Sequence, residues 1–239
     1  MTFEFDTAVE AFAFILKHLP LTLFLPAVTL LIGIVLGSII AIVRLRSNKL
    51  VNAVLAVVVS FFRSVPAILQ VFIMYYSLPY LIAPILSVVT GSVVKPFDVS
   101  PYWTAYIFFI IYQTAYQSEN IRGALLSVDK GQMEAALAAG LSYYQAYKRI
   151  ILPQALPIML PGLVNQFIEI IKDTSLMYMI GLMDLVGRAN LLIHLRLGQG
   201  RIECYLVVAL IYWALISASE LLAAHLERRS NRFLRREAA

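Results

Sequence analysis

The sequence is poor in the residues on which most soluble enzymes depend. Its 239 residues include one cysteine, Cys204, so an internal disulfide is impossible. The three histidines, His18, His194 and His225, lie far apart and lack the spacing of a metal site. No Gly-x-x-x-x-Gly-Lys-Ser/Thr run is present to hold the phosphates of ATP. No nucleophile and base stand at a catalytic spacing, so no catalytic or metal site is predicted.

Charged residues are also scarce, at 14% of the chain, whereas hydrophobic residues reach 61%. A soluble fold cannot bury that much apolar surface, but a lipid bilayer covers it. About 20 apolar residues cross a bilayer as a helix, and these runs are too long and continuous for barrel strands. We therefore predict an all-α integral membrane protein with five transmembrane helices, near residues 20–43, 66–90, 102–121, 156–181 and 204–224. A further apolar run at 51–62 is expected to lie at the membrane interface.

The basic residues predict how the chain is oriented. Twelve lie after the first segment, after the third, or in the C-terminal tail: Arg44, Arg46, Lys49, Arg122, Lys130, Lys148, Arg149, Arg228, Arg229, Arg232, Arg235 and Arg236. Five lie in the regions that would face the opposite side: Lys17, Lys95, Arg188, Arg196 and Arg201. Because Lys and Arg concentrate in cytoplasmic loops, the N-terminus is predicted outside and the C-terminus in the cytoplasm.

A charged loop at about 127–153 separates the third segment from the fourth. It contains two capping-box patterns, in which a polar residue is followed three positions later by glutamine: Asp129 with Gln132, and Ser142 with Gln145. Gly140 lies between them and offers a left-handed helix stop. The loop is therefore predicted to form two short helices, the second ending before Pro153.

The spacing within this loop carries a family resemblance. It reads Glu-Ala-Ala, three residues, Gly, nine residues, Ile, one residue and Leu-Pro, formed by Glu134, Ala135, Ala136, Gly140, Ile150, Leu152 and Pro153. This pattern resembles the signature loop of permease subunits in ATP-binding-cassette (ABC) importers. Three further stretches resemble the polar amino-acid uptake permeases: Arg63–Pro66 with Gln70, Ser118–Gly123, and Lys172–Leu176. Ser64 and Val65 depart from that pattern.

The resemblance implies a single transmembrane permease domain over residues 1–239, in a bacterial cytoplasmic (inner) membrane. It implies import of a polar amino acid or cystine, driven by a separate ATPase subunit that binds ATP and Mg, while this chain binds no cofactor. The implied partners are that ATPase, a second permease subunit in a homodimer or heterodimer, and an extracytoplasmic solute-binding protein, with no nucleic acid. The implied ATPase-coupling residues are Glu134, Ala135, Ala136, Gly140, Leu141, Ile150, Leu152 and Pro153.

The fourth hydrophobic segment contains an unusual polar face. Gln166, Glu169 and Asp173 follow each other at helical spacing, with Asn165 beside them. A charge at the bilayer centre costs about 2.5–3.5 kcal/mol on insertion scales, so this face is a candidate substrate path. The alternative is structural, because Glu169 and Lys172 are spaced for an i, i+3 ion pair. Glu119 and Arg122 have the same spacing in the third segment.

Other functions remain open on sequence alone. The solute could be an opine or an osmoprotectant instead of an amino acid. A passive channel or membrane scaffold would also be hydrophobic, but it would not need a docking loop. A lipid-embedded enzyme would need clustered acids, histidines or cysteines at the interface, and no such cluster is present in the sequence.

Overall fold

The chain folds as a bundle of helices. The computed structural model describes the backbone of residues 3–237 and the side chains of residues 3–228. No strand occurs in that backbone. The α-helices are α1 Phe5–Leu16, α2 Leu19–Arg46, α3 Lys49–Ser64, α4 Ala67–Thr90, α5 Pro101–Ser127, α6 Lys130–Ala138, α7 Tyr143–Ala146, α8 Leu152–Asp173, α9 Leu185–Leu195 and α10 Arg201–Glu237. Short 3₁₀ segments cover Pro96–Asp98 and Thr174–Ile180, and a π-helical turn covers Tyr147–Ile151.

Four segments of the described chain are long and apolar enough to cross a membrane: Phe5–Arg46, Ala67–Thr90, Tyr143–Ile180 and Arg201–Arg228. They cover the first, second, fourth and fifth predicted spans to within one residue at each end. The third predicted span, 102–121, lies in α5, which has the length but not the apolar composition. Its polar side chains are buried inside the bundle, where lipid does not reach: Gln113, Thr114, Gln117 and Ser118. The helical membrane class is confirmed, whereas the count of five crossings stays a prediction.

The centre of the bundle is built around α5, which packs against α2, α3, α4 and α8. Phe108 and Phe109 are fully buried beside Leu25 of α2 and Ile170 of α8. The apolar run at 51–62 forms α3, of which only Val59 is buried. An amphipathic helix this exposed fits the predicted interfacial position.

The closest helix packing lies between α2 and α5 and depends on two glycines. A Cβ on Gly33 would lie 2.5 Å from the Cβ of Gln113. A Cβ on Gly37 would lie 2.9 Å from the Cβ of Gln117. Any side chain at either position would force the helices apart. The two glycines therefore let the backbone of α2 contact α5 directly.

Side-chain contacts show which helix ends lie together. Arg44, near the end of α2, pairs with Glu119 of α5 at 2.6 Å, and Arg46 lies 5.7 Å from the ring centroid of Tyr147. We call this the loop end of the bundle, because α6 and α7 lie there. At the opposite, N-terminal end, the backbone N–H of Glu4 donates to Glu203 of α10 at 3.1 Å. Helices α2 and α5 therefore run in the same direction, and α8 runs against them.

The second loop helix does not end before Pro153, so that prediction was wrong. The chain stays helical from α7 through the π turn into α8. In that turn the N–H of Leu152 donates to the carbonyl of Tyr147, five residues earlier. The wider turn accommodates Pro153, which has no N–H and would clash with a carbonyl in a regular α-turn. A proline pattern alone cannot distinguish a helix end from such a bulge.

Candidate functional site

The loop between α5 and α8 forms two short helices on a buried base. Met133, Tyr147 and Ile150 pack against a cluster that includes Ala41 of α2 and Ile121 of α5. The loop is thereby fixed to three of the long helices. A force applied to it would act directly on α2, α5 and α8.

One of the two predicted capping boxes is complete. The Ser142 side chain accepts from the N–H of Gln145 at 3.3 Å, and the Gln145 side chain accepts from the N–H of Ser142 at 2.9 Å. Asp129 caps α6 through the N–H of Gly131 at 2.7 Å, but the capping box with Gln132 does not form. The Gln132 side chain instead accepts from Gln154 at 3.5 Å, which ties α6 to the start of α8.

Gly140 has the left-handed conformation expected of a helix stop, with φ of 82°. The N–H of Gly140 donates to Leu137 at 3.0 Å, and the N–H of Leu141 donates to Ala136 at 3.1 Å. Apart from its two chain neighbours, no described residue has an atom within 4 Å of the position where its Cβ would stand. The backbone angle, and not a lack of space, therefore favours glycine here.

The predicted coupling residues divide between a surface and a base. Glu134, Ala135, Gly140, Leu152 and Pro153 are exposed. Ala136, Leu141 and Ile150 are buried or half-buried and face the bundle. Exposed tyrosines, which the sequence also offers as anchors for a partner, flank the surface: Tyr143 and Tyr144 are 56% and 72% exposed. The loop thus presents small side chains next to large aromatic ones, an arrangement suited to a partner's groove.

Helix α8 contains all four residues of the predicted polar face. Gln166 is buried, Asp173 is half-buried, and Asn165 and Glu169 are exposed. Lys172 donates to Glu169 at 2.9 Å, so the ion pair considered as the structural alternative also forms. The Glu169 side chain remains 55% exposed within this chain. The Glu169 carboxylate therefore lies on the outer surface of this chain.

Two polar clusters join helices that are distant in sequence. Glu119 pairs with Arg122, as predicted, and also with Arg44 of α2. Asp184 is 2% exposed, caps α9 through the N–H of Gly187 at 2.8 Å and accepts from the Tyr212 hydroxyl at 3.1 Å. Burial raises the pKa of Asp184 to about 6. Sequence reasoning missed Arg44 and Asp184, because their partners lie 75 and 28 residues away.

Long apolar helices around a buried polar interior, with a rigid two-helix loop fixed to three of them, define a membrane transport subunit. The sequence model of the family described as "Binding-protein-dependent transport system inner membrane component" matches residues 33–232. The chain belongs to this family. It is accordingly a transporter subunit and not an enzyme, and ATP hydrolysis belongs to a separate subunit.

Curated relatives match along most of their length. The chain is 34% identical to the probable amino-acid permease protein YxeN of Bacillus subtilis, covering 95% of this chain and 96% of the relative. It is 38% identical to the L-cystine transport system permease protein TcyL of Bacillus subtilis, covering 82% and 79%. It is 31% identical to the glutamate/aspartate import permease protein GltK of Escherichia coli O157:H7, covering 95% and 98%.

A solved structure shares the architecture. It is a crystal structure of an amino acid ABC transporter with histidines, which matches with a TM-score of 0.80 and 27% identity, covering 96% of this chain and all of that one. A chain from an inward-facing structure of the MetNI methionine ABC transporter matches with a TM-score of 0.68 at 19% identity, covering 90% of this chain and 95% of that one. At that identity the second likeness shows the fold alone.

Proposed function

We propose that this chain is the transmembrane subunit of an ABC importer that moves a polar amino acid or cystine across the cytoplasmic membrane. The observation that carries the proposal is the polar face of α8, with Gln166, Glu169 and Asp173 on a helix long enough to span the bilayer. Relatives named for amino-acid, cystine and glutamate/aspartate transport support the substrate class. Energy comes from a separate ATPase, which binds the ATP and Mg.

The proposed topology has five crossings within one permease domain. Helix α5 is the one crossing added to the four apolar segments, and it is the third in chain order. Its polar side chains face inward, and it runs parallel to α2. The loop end is cytoplasmic and the N-terminal end faces outside, because twelve basic residues lie on one side and five on the other. Four of the twelve lie outside the described side chains: Arg229, Arg232, Arg235 and Arg236.

The proposed partners each correspond to a different part of the bundle. The ATPase subunit docks on the exposed surface of the coupling loop, where Glu134, Ala135 and Gly140 meet the flanking tyrosines. A solute-binding protein delivers substrate at the N-terminal end. A second permease subunit covers the exposed face of α8. A carboxylate exposed at membrane depth must face protein or water. A second subunit related by a two-fold axis provides a protein surface opposite α8, with a water-filled path between the two subunits.

The substrate path is proposed to follow Asn165, Gln166, Glu169 and Asp173. The carboxylates of Glu169 and Asp173 can receive the ammonium group of an amino acid. The amides of Asn165 and Gln166 can bind either end of a zwitterion, because they donate and accept.

Replacing Glu169 with glutamine tests the path, since it removes the charge and keeps the shape. We expect the apparent KM for uptake to rise about tenfold, because a charge-assisted hydrogen bond contributes roughly 1.5–3 kcal/mol. Membrane level and complex assembly should hold. Lys172→Gln is the matched control, since it breaks the same ion pair from the other side. If Glu169 acts only through that pair, the two variants will be equally impaired, and the substrate role is excluded.

A further inference from the structure

A polar cavity of ≈ 310 Å³ opens at the loop end between α5 and α8. Its lining includes Arg63 near the end of α3, Gln117 and Asn120 of α5, and Asn165 and Gln166 of α8. A neighbouring cavity of ≈ 390 Å³ shares Arg63 and Glu119 with it. A volume near 300 Å³ is large enough for a small solute. Two members of the proposed path, Asn165 and Gln166, line the cavity, and Gln166 lies one helical turn from Glu169.

Gln166 has an unused hydrogen-bond donor. The residue is only 9% exposed, and its Nε2 has no partner among the residues that the structure describes. A buried N–H without an acceptor costs free energy, which a bound acceptor group would recover. The Gln166 side chain lies in the wall of the cavity. A rotation of its carboxamide turns the buried Nε2 toward a ligand that enters, which then supplies the missing acceptor.

Asn120 lines the cavity and is held in place by bonds that leave its acceptor oxygen without a donor among the described residues. Its Nδ2 donates to the carbonyl of Met159 at 3.1 Å and to Gln117 at 3.3 Å. A Cβ on Gly162 would lie 2.3 Å from Oδ1 of Asn120. Helix α8 therefore keeps glycine where Asn120 crosses it, and the carboxamide has a fixed position.

The charge in the cavity wall is positive. Glu119 is engaged by both Arg44 and Arg122, so its carboxylate is already neutralised. Arg63 makes no ion pair with any described residue, and its guanidinium lies 5.6 Å from the ring centroid of Tyr116. A guanidinium without an ion-pair partner and a buried amide donor in the wall of one cavity favour a planar anion such as a carboxylate.

We propose that this cavity is a second substrate station, in which Arg63 and the Nε2 of Gln166 bind the solute's carboxylate. The fixed Oδ1 of Asn120 accepts from its ammonium group. The assignment rests on the proposed function and adds to it the residues that select a carboxylate-bearing solute on its way to the loop end. The earlier station, at Glu169 and Asp173, selects for the ammonium group.

Thiol chemistry tests the charge preference without knowledge of the substrate. The complete transporter carries Asn165→Cys as reporter and Cys204→Ala, the native thiol being fully buried. Two matched reagents are compared: 2-sulfonatoethyl methanethiosulfonate, an anion, and 2-(trimethylammonium)ethyl methanethiosulfonate, a cation. The ratio of anion to cation modification rates should fall about tenfold in Arg63→Gln, because a unit charge within several Å changes local ion concentration by that order. Arg63→Lys keeps the positive charge and should preserve the ratio of anion to cation modification rates.

Arg46→Gln is the control, since it removes a basic residue at the same end that does not line the cavity. An equal ratio in Arg63→Gln and Arg46→Gln would overturn the proposal.

Protection experiments test the carboxylate itself. L-glutamine, L-glutamate and L-arginine are added singly, together with agmatine, the decarboxylated analogue of L-arginine. At least one amino acid should slow modification by the anionic reagent, agmatine should not, and Gln166→Leu should abolish the protection. Equal protection by L-arginine and agmatine would overturn the proposal that the cavity binds a carboxylate. A lack of protection by an amino acid that is still taken up would also overturn it. Absence of all amino-acid uptake by the transporter with native Asn165 would contradict the proposed function. The rate ratio measured in the Asn165→Cys transporter would still report on the anion preference.

Discussion

Replacing Gly33 with alanine is expected to destabilise the protein by more than about 2 kcal/mol, although the change adds a single methyl group. The new Cβ would lie 2.5 Å from the Cβ of Gln113, a separation that real Cβ atoms do not show. Gln113 is fully buried in α5, so neither helix can yield without disturbing the core. The measurement is the thermal unfolding midpoint of the purified protein in detergent, together with its yield in the membrane fraction.

Gly123→Ala is the matched control for this prediction. Gly123 lies on α5, and within the described part of the chain no atom outside its own stretch of helix stands within 4 Å of its Cβ position. Alanine there should be neutral or stabilising by up to ~1 kcal/mol through helix propensity. Equal unfolding midpoints for Gly33→Ala and Gly123→Ala would show that α2 and α5 are not in the close contact described.

The second large effect is expected at the coupling loop. Gly140→Val places a β-branched residue at φ of 82°, which costs about 1–2 kcal/mol locally and distorts the stop between α6 and α7. Uptake should fall about tenfold or more, because each 1.4 kcal/mol of misfit with the ATPase is a factor of ten in affinity. The permease should still reach the membrane. The measurements are uptake, membrane level and co-purification of the ATPase subunit.

Two further variants show whether the loss of uptake in Gly140→Val comes from the coupling loop or from backbone strain alone. Gly91 ends α4 far from the coupling loop, has φ of 67°, and has no atom within 4 Å of its Cβ position. Gly91→Val therefore carries comparable strain and should leave ATPase binding intact. Gly140→Asn should retain most uptake, because asparagine tolerates the left-handed region. Normal uptake and ATPase stimulation in Gly140→Val would show that the loop is not the coupling element.

Much of the architecture follows from local patterns. The apolar runs predict four of the crossing segments, because lipid imposes a length and a composition on them. The Ser142–Gln145 capping box and the Gly140 stop form as predicted, because their bonds span only a few residues. The i, i+3 ion pair of Glu169 with Lys172 is equally local.

Features that depend on tertiary packing were not predictable in this way. The polar composition of α5 makes sense only once its position inside the bundle is known. The π turn before Pro153 depends on how α7 joins α8, and no sequence pattern marks it. Arg44 reads as an ordinary loop cation until its helix lies beside Glu119. The unpartnered amide of Gln166 likewise becomes visible only when α5 and α8 enclose it.

The most direct test of the account is ATP-driven uptake by proteoliposomes that contain the permease, its ATPase subunit and its solute-binding protein. The external solution contains one radiolabelled amino acid at a time, with cystine included. The account predicts that at least one polar amino acid or cystine accumulates above its external concentration, only with ATP and Mg at the loop end and only with binding protein present. Uptake of the same solute at an equal rate without ATP, or accumulation of none of them, would contradict it.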